Sequence, residues 1–170
     1  MNSPLVTQIL GRVTLGPSEE FNEEFEILGE PEHALSKKLC AFWHECRGRG
    51  GMMMNQDIPC RELASLMGAL SVVEPECDRT EFRVRLASSE SVTRFGRDSS
   101  GSLISELSLP LNTWYRNDAA TVLETHSPLI GRMRVRQASQ VVLEMEVVVL
   151  PIWSPDKTTE WLLIAGFQKR

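Results

Sequence analysis

Three histidines and four cysteines are the side chains of this chain best suited to holding a metal or attacking a substrate. His44 stands four residues after Cys40 and two before Cys46, and a Cys-x3-His pair on one helix face is a way to begin a metal site. Closing such a site takes further ligands. Cys60 and Cys77 form no C-x2-C element, and His33 and His126 stand apart in the chain. Cys40, His44 and Cys46 therefore read as buried or half-buried helix positions. Cys46 also precedes Arg47 and Arg49, cations of the kind that lower a thiol's pKa towards a nucleophile, an unspecific signal without a base at defined spacing. The chain contains no G-x-S-x-G, no Walker-type loop and no G-x-G-x-x-G. The stretch Gly96-Arg97-Asp98-Ser99-Ser100-Gly101 has glycines and serines but no lysine to cradle a phosphate, so a structural turn is the better reading.

Arginine is the one polar residue with a pattern. Arg83 and Arg85 alternate in one stretch, Arg132, Arg134 and Arg136 in another, and Glu144 and Glu146 in the next. Cross-strand ion pairing on a solvated sheet face explains this spacing, at roughly a few tenths of a kcal/mol per pair; docking of an acidic partner is the sharper alternative. The run Met52-Met53-Met54 reads either as an adaptable binding surface or as a loop packed over the first helix.

The elements that position these residues follow from periodicity. Residues 1–30 carry scattered apolar positions and the acidic run Glu19, Glu20, Glu23, Glu24, Glu26, which reads as a solvated face or mobile arm. Leu35, Leu39, Phe42, Trp43 and Cys46 then recur on one helix face, ended by Gly48, Gly50 and Gly51. A second short helix is expected from Pro59 to Leu70, with Asp57 as its cap and Leu63, Leu66, Met67 and Leu70 as its stripe. The period then becomes two. Ser71 to Glu76 and Glu81 to Ala87 form a hairpin around Pro75 to Thr80. Ser91 to Phe95 reads as a short helix, Ser102 to Leu107 as a helix or turn, and Leu111, Trp114, Tyr115, Ala119, Val122 and Leu123 as one side of a longer helix. Leu129 to Arg136, Val141 to Trp153 and Trp161 to Phe167 read as three strands joined by short connections, hence antiparallel. Two strands and three strands most simply join in one sheet.

A chain of 170 residues is one domain by length, and folding at that size buries roughly 70% of the unfolded surface. The net charge of -5 gives no general affinity for nucleic acid or an anionic membrane. Met1 to Leu10 has no basic leader pattern, and the apolar run Val147 to Trp153 is too short to span a bilayer. A cytoplasmic location and thiols rather than disulfides are the expectation.

Phe42-Trp43, then Gly51 through Asp57-Ile58-Pro59 and Arg61-Glu62-Leu63, resemble the start of a bacterial PAS family of short stand-alone proteins seen in alphaproteobacteria, with its W…P-x-R-x-D-I-D-P-like motif. Phe82-Arg83-Val84-Arg85-Leu86 and Phe95 to Gly101 look like that family's strand and its G-R-D-x-T-G turn. The chain departs from it in Met54-Asn55-Gln56 before Asp57, where the family has a proline and an arginine, and in Ser88, which replaces a glycine. The resemblance covers about residues 35–170, its later part mainly by order of elements.

What the resemblance implies is an α+β fold, a PAS-like five-stranded antiparallel sheet with helices on one face, and an N-terminal helical extension. The extension is expected at 1–33 and the domain at 34–170. The family has no shared catalytic or cofactor residue to carry over, so no enzyme activity, cofactor or metal is expected. The implied cavity is walled by Phe95, Leu103, Leu107, Trp114, Tyr115, Met133, Met145, Val147 and Ile164, residues that equally suit a plain core. The implied function is sensory or regulatory: a small-molecule ligand or a signalling protein partner, and a homodimer. A filled-core adaptor is the first alternative. A small cavity enzyme, using Tyr115, His126 or a cysteine, is the second.

Overall fold

A computed structural model of the chain describes residues 21–107 and 112–169; the side chains of 21–23, 77, 94, 95 and 112–117 lie outside the described part. Strand β1 is Phe21–Leu28. Helix α1, Ala34–Gly48, follows it. The hairpin β2 (Leu70–Glu76) and β3 (Glu81–Leu86) comes next. Then come α2 (Ser89–Phe95), a 3-10 turn at Ile104–Glu106, and α3 (Asn112–Thr125). Strands β4 (Leu129–Gln137), β5 (Gln140–Trp153) and β6 (Glu160–Gln168) close the chain.

The strands form one antiparallel sheet in the order β1-β4-β5-β6-β2-β3. Alternation decides which residue meets which layer. Met133, Val135, Met145, Val147 and Ile164 point to the side covered by α3 and the 3-10 turn, with Ala119, Val122 and Leu123 of α3 against them. Val148, Leu150, Leu163 and Ala165 point to the other side, under Leu39, Cys40, Trp43 and Cys46 of α1. Strands β5 and β6 are apolar on both faces because helices cover both. The implied helical layer is thus present, and the N-terminal helix supplies a second one across the sheet.

Helix α1 starts where His33 Nδ1 accepts the Leu35 N–H at 3.1 Å and ends before Gly50 and Gly51, at φ of 104° and 102°. A side chain at Gly51 would strike the indole of Trp153, whose Nε1 lies 2.7 Å from the position of a Cβ there. The expected helix from Pro59 to Leu70 is a series of turns, with a 3-10 segment only at Met67–Ala69. Its bonds run Ala64 N to Arg61 O, Leu66 N to Leu63 O and Ala69 N to Leu66 O. Three-residue turns already bury Leu63 and Leu66 against α1, so the stripe is satisfied without an α-helix. Asp57 caps no helix either; its carboxylate is buried and accepts the Met53 N–H at 2.8 Å. The methionine run is a packed loop: Met52 is buried, and Met54 N and Met52 O both bond the backbone of Trp153.

A sixth strand joins the five implied. Glu24 and Glu26 of the acidic run lie in β1, paired along their length with β4, rather than in a solvated arm. Glu19 and Glu20 lie outside the described residues. Glu24 meets Arg136 at 3.0 Å, and Glu26 meets Arg132 and Arg134 at 3.2 and 3.5 Å. The arginines pair with the next strand too, as expected, Arg134 to Glu144 at 2.9 Å. On the opposite face Phe25 lies over Gly131, where a Cβ would overlap its ring. Gly131→Ala should therefore loosen β1 at a cost of about 1–2 kcal/mol. Combined with Phe25→Ala the two costs should fall short of their sum, because the ring that clashes is gone. Hydrogen exchange of the β1 amides reads the effect; strict additivity would rule out the contact as its cause.

Candidate functional site

The sheet face beneath α3 brings most of the expected cavity residues together. Leu107, Met133, Met145, Val147 and Ile164 are buried in one apolar cluster, with Phe82, Val84 and Leu123 beside them. Leu103 is half-buried and pairs with Arg83 at the edge of β3, outside that cluster. The backbone of Phe95 ends α2, and Trp114 and Tyr115 fall in the first turn of α3. Their side chains, like all of Leu111, lie outside the described residues.

Strand β5 connects this face to the opposite one. Met145 and Val147 enter the cluster under α3, and between them Glu146 points the other way, towards α1. Both Glu146 carboxylate oxygens accept the N–H groups of Glu32 and His33, at 3.0–3.1 Å. Those are free donors at the start of α1, and a carboxylate there satisfies them and complements the positive end of the helix dipole. His33 is further held by stacking on Phe167, with ring centroids 5.4 Å apart. The sequence marked Glu146 only as a polar-face strand residue; nothing in its spacing announces that it is buried and anchors a helix 113 residues away.

A depression of about 240 Å³ opens beside this anchor, lined by Glu32, His33, Arg132, Glu144, Met145, Glu146 and Lys169. Its charges are already joined to one another. Arg132 holds Glu32 and Glu26, and Glu144 holds Arg134 and, at 3.4 Å, Lys169. The bond from Arg134 is the first cause that keeps the Glu144 carboxyl below its ordinary range, ahead of the contribution from Lys169.

Cys46 is buried on the inner face of α1, the helix position expected of it. Arg49 does approach its sulfur at 3.1 Å, but burial dominates and, with Asp57, pushes the thiol up. Burying a thiolate in apolar surroundings costs more than one nearby arginine returns. His44 is exposed and packs edge-on to Trp43, and among the described residues no three His, Cys, Asp or Glu side chains converge as a metal site would need. His126 pairs at the surface with Glu160, 2.8 Å away.

Cys40, on the sheet side of α1, carries a measurable consequence. Burial, then the nearby Glu146 carboxylate, pushes its thiol from 9.0 up to about 11. Between those values the unfolded chain ionises this group while the folded chain keeps it protonated. The unfolded state then binds fewer protons, so stability is lost as pH rises through that window. Urea midpoints under reducing conditions should fall between about pH 9 and pH 11, and fall less in Cys40→Ala. An identical decline in the variant would assign the effect to other groups.

A six-stranded antiparallel sheet, with α1 across one face and α3 and the 3-10 turn across the other, makes a small α+β module with an apolar layer on each side. The chain belongs to the PAS domain family, whose model matches residues 31–165. No curated protein and no solved structure matches it significantly. PAS domains are in general sensory or regulatory modules and typically not catalytic. No helix among the described residues is long and apolar enough to cross a membrane.

Proposed function

We propose that this PAS protein is a non-catalytic cytoplasmic regulator that takes a small apolar molecule between α3 and the sheet, and passes its arrival to a signalling partner through α1. The homodimer implied by the resemblance belongs to the same reading, and so does the division into an extension at 1–33 and a domain at 34–170. The observation that carries it is the two-sidedness of β5. Met145 and Val147 face the apolar cluster, and Glu146 between them grips the first turn of α1. A ligand that shifts β5 within the cluster shifts the helix anchor with it. The two methionines, Met133 and Met145, are unbranched and can repack around a guest. Leu107, Met133, Met145, Val147 and Ile164, with Phe95, Leu103, Trp114 and Tyr115, are the residues proposed to meet it.

One observation favours the filled-core adaptor instead: Leu107, Met133, Met145, Val147 and Ile164 are all buried in one apolar cluster. Native mass spectrometry of the purified chain separates the readings. A co-purifying small molecule on a dimer supports the sensor, and a metabolite at about 100 times its Kd should stabilise the fold by about 2.7 kcal/mol. An unliganded monomer whose melting temperature no apolar metabolite raises would overturn it in favour of the adaptor.

A further inference from the structure

The cap of α1 is a titratable side chain. His33 stands just before the helix, and its Nδ1 accepts the Leu35 N–H at 3.1 Å. A ring nitrogen that accepts carries no proton, so this bond needs the neutral imidazole, with its hydrogen on Nε2. Imidazole is also the side chain whose charge ordinarily changes between about pH 5 and pH 8. The commoner caps, serine, threonine, aspartate and asparagine, keep an accepting oxygen throughout that range. Stacking on Phe167, at an interplanar angle of 11°, holds the plane of the ring. A flip within that plane puts a carbon, which accepts nothing, where Nδ1 was.

Protonation therefore takes the acceptor from the Leu35 N–H and sets a positive charge at the positive end of the helix dipole. The charged groups around the ring decide whether that loss is made good. Those lining the same depression are Glu144 and Glu146 from β5, Arg132 from β4, Lys169 just after β6, and Glu32 beside His33 itself. Each carboxylate is already engaged. Glu146 gives both oxygens to the N–H groups of Glu32 and His33. Glu144 holds Arg134 and Lys169, and Glu32 holds Arg132. The cations Arg132 and Lys169 oppose a further positive charge, and drawing Glu146 to the imidazolium would cost the helix its other anchor.

We propose that His33 makes the start of α1 a proton-operated latch: the neutral ring closes the first turn, and a proton on Nδ1 opens it while the sheet and the rest of the helix stay folded. Glu146 ties that same turn to β5, so the latch acts at the junction of helix and sheet. The inference goes beyond the ligand reading, since it holds whether or not the apolar cluster takes a guest.

Amide exchange and ring-nitrogen resonances, both read by NMR on the full chain, test the latch. Protection of the Leu35 amide, taken relative to an unstructured peptide at each pH, should fall about fivefold from about pH 7.5 to about pH 5.5, the loss of one cap. Protection along β5 and β6 should hold. At the upper pH the His33 ring should show Nδ1 unprotonated and the hydrogen on Nε2. His33→Asn, whose carbonyl oxygen accepts at either pH, should keep the Leu35 amide protected across the range, and His33→Ala should leave it unprotected throughout. The proposal is overturned by level Leu35 protection in the parent, by an acid loss that persists in His33→Asn, by a first turn that tightens on acidification, or by a proton on Nδ1 at the upper pH. The ring resonances and the parent's exchange need no variant, so the latch can fail its test even where a variant folds poorly.

Discussion

Trp43→Ala is expected to remove about 3–5 kcal/mol of stability, a large part of what a domain of this size holds. The indole is buried where α1 meets the sheet, and its Nε1–H donates to Pro151 O at 2.8 Å. Truncation loses the transfer energy of a large side chain, leaves a cavity between α1 and β5, and orphans a buried carbonyl. Arg47, whose guanidinium lies over the ring at 5.4 Å, loses its platform as well. Trp43→Phe separates these contributions. It keeps most of the apolar contact and drops the hydrogen bond, so about 1–2 kcal/mol is expected. Equilibrium urea unfolding measures both. A Trp43→Ala cost below about 1 kcal/mol would mean that α1 adds little to the fold, and the proposed route from β5 to that helix would lose its basis.

Glu146→Ala should cost about 2–3 kcal/mol and act first at the start of α1. The carboxylate accepts from Glu32 and His33 together, and its loss leaves two donors at a helix end without their partner. Glu146→Gln keeps an accepting oxygen but loses the charge that complements the helix dipole, and should recover about half of the loss. The readout that distinguishes an anchor from a merely buried residue is local. Amide exchange should rise in the first turn of α1 well before the β5 and β6 amides respond. Uniform exchange across the sheet would show that Glu146 acts on the whole fold and not on the helix. The same variant tests the proposed signalling route, since a ligand-induced change at α1 should disappear while ligand binding under α3 persists.

Much of this architecture was legible in the residues. The stripe Leu39, Trp43, Cys46 defines α1 because burial on one face at 3.6-residue spacing leaves few other solutions. The alternation of Met133, Val135, Met145 and Val147 with arginine and glutamate defined β4, β5 and their faces. Where local pattern misled, a non-local partner was the reason. Leu63 and Leu66 have helical spacing, yet turns bury them equally well once Ile58 and Asp57 are tied into the loop. The acidic run around Glu24 and Glu26 looks like a solvated arm until the basic row on β4, more than 100 residues later, supplies its counter-charges.

The histidines and cysteines that came first illustrate the same division. Their spacing showed no recognisable metal-ligand motif, since Cys60 and Cys77 form no C-x2-C element. Their environments were a different matter. Only the folded chain places Cys40 beside Glu146, Cys46 under burial that outweighs Arg49, and His33 at the start of α1 stacked on Phe167. Local periodicity is written in neighbouring residues, whereas burial and counter-charge depend on which distant strands the sheet brings side by side.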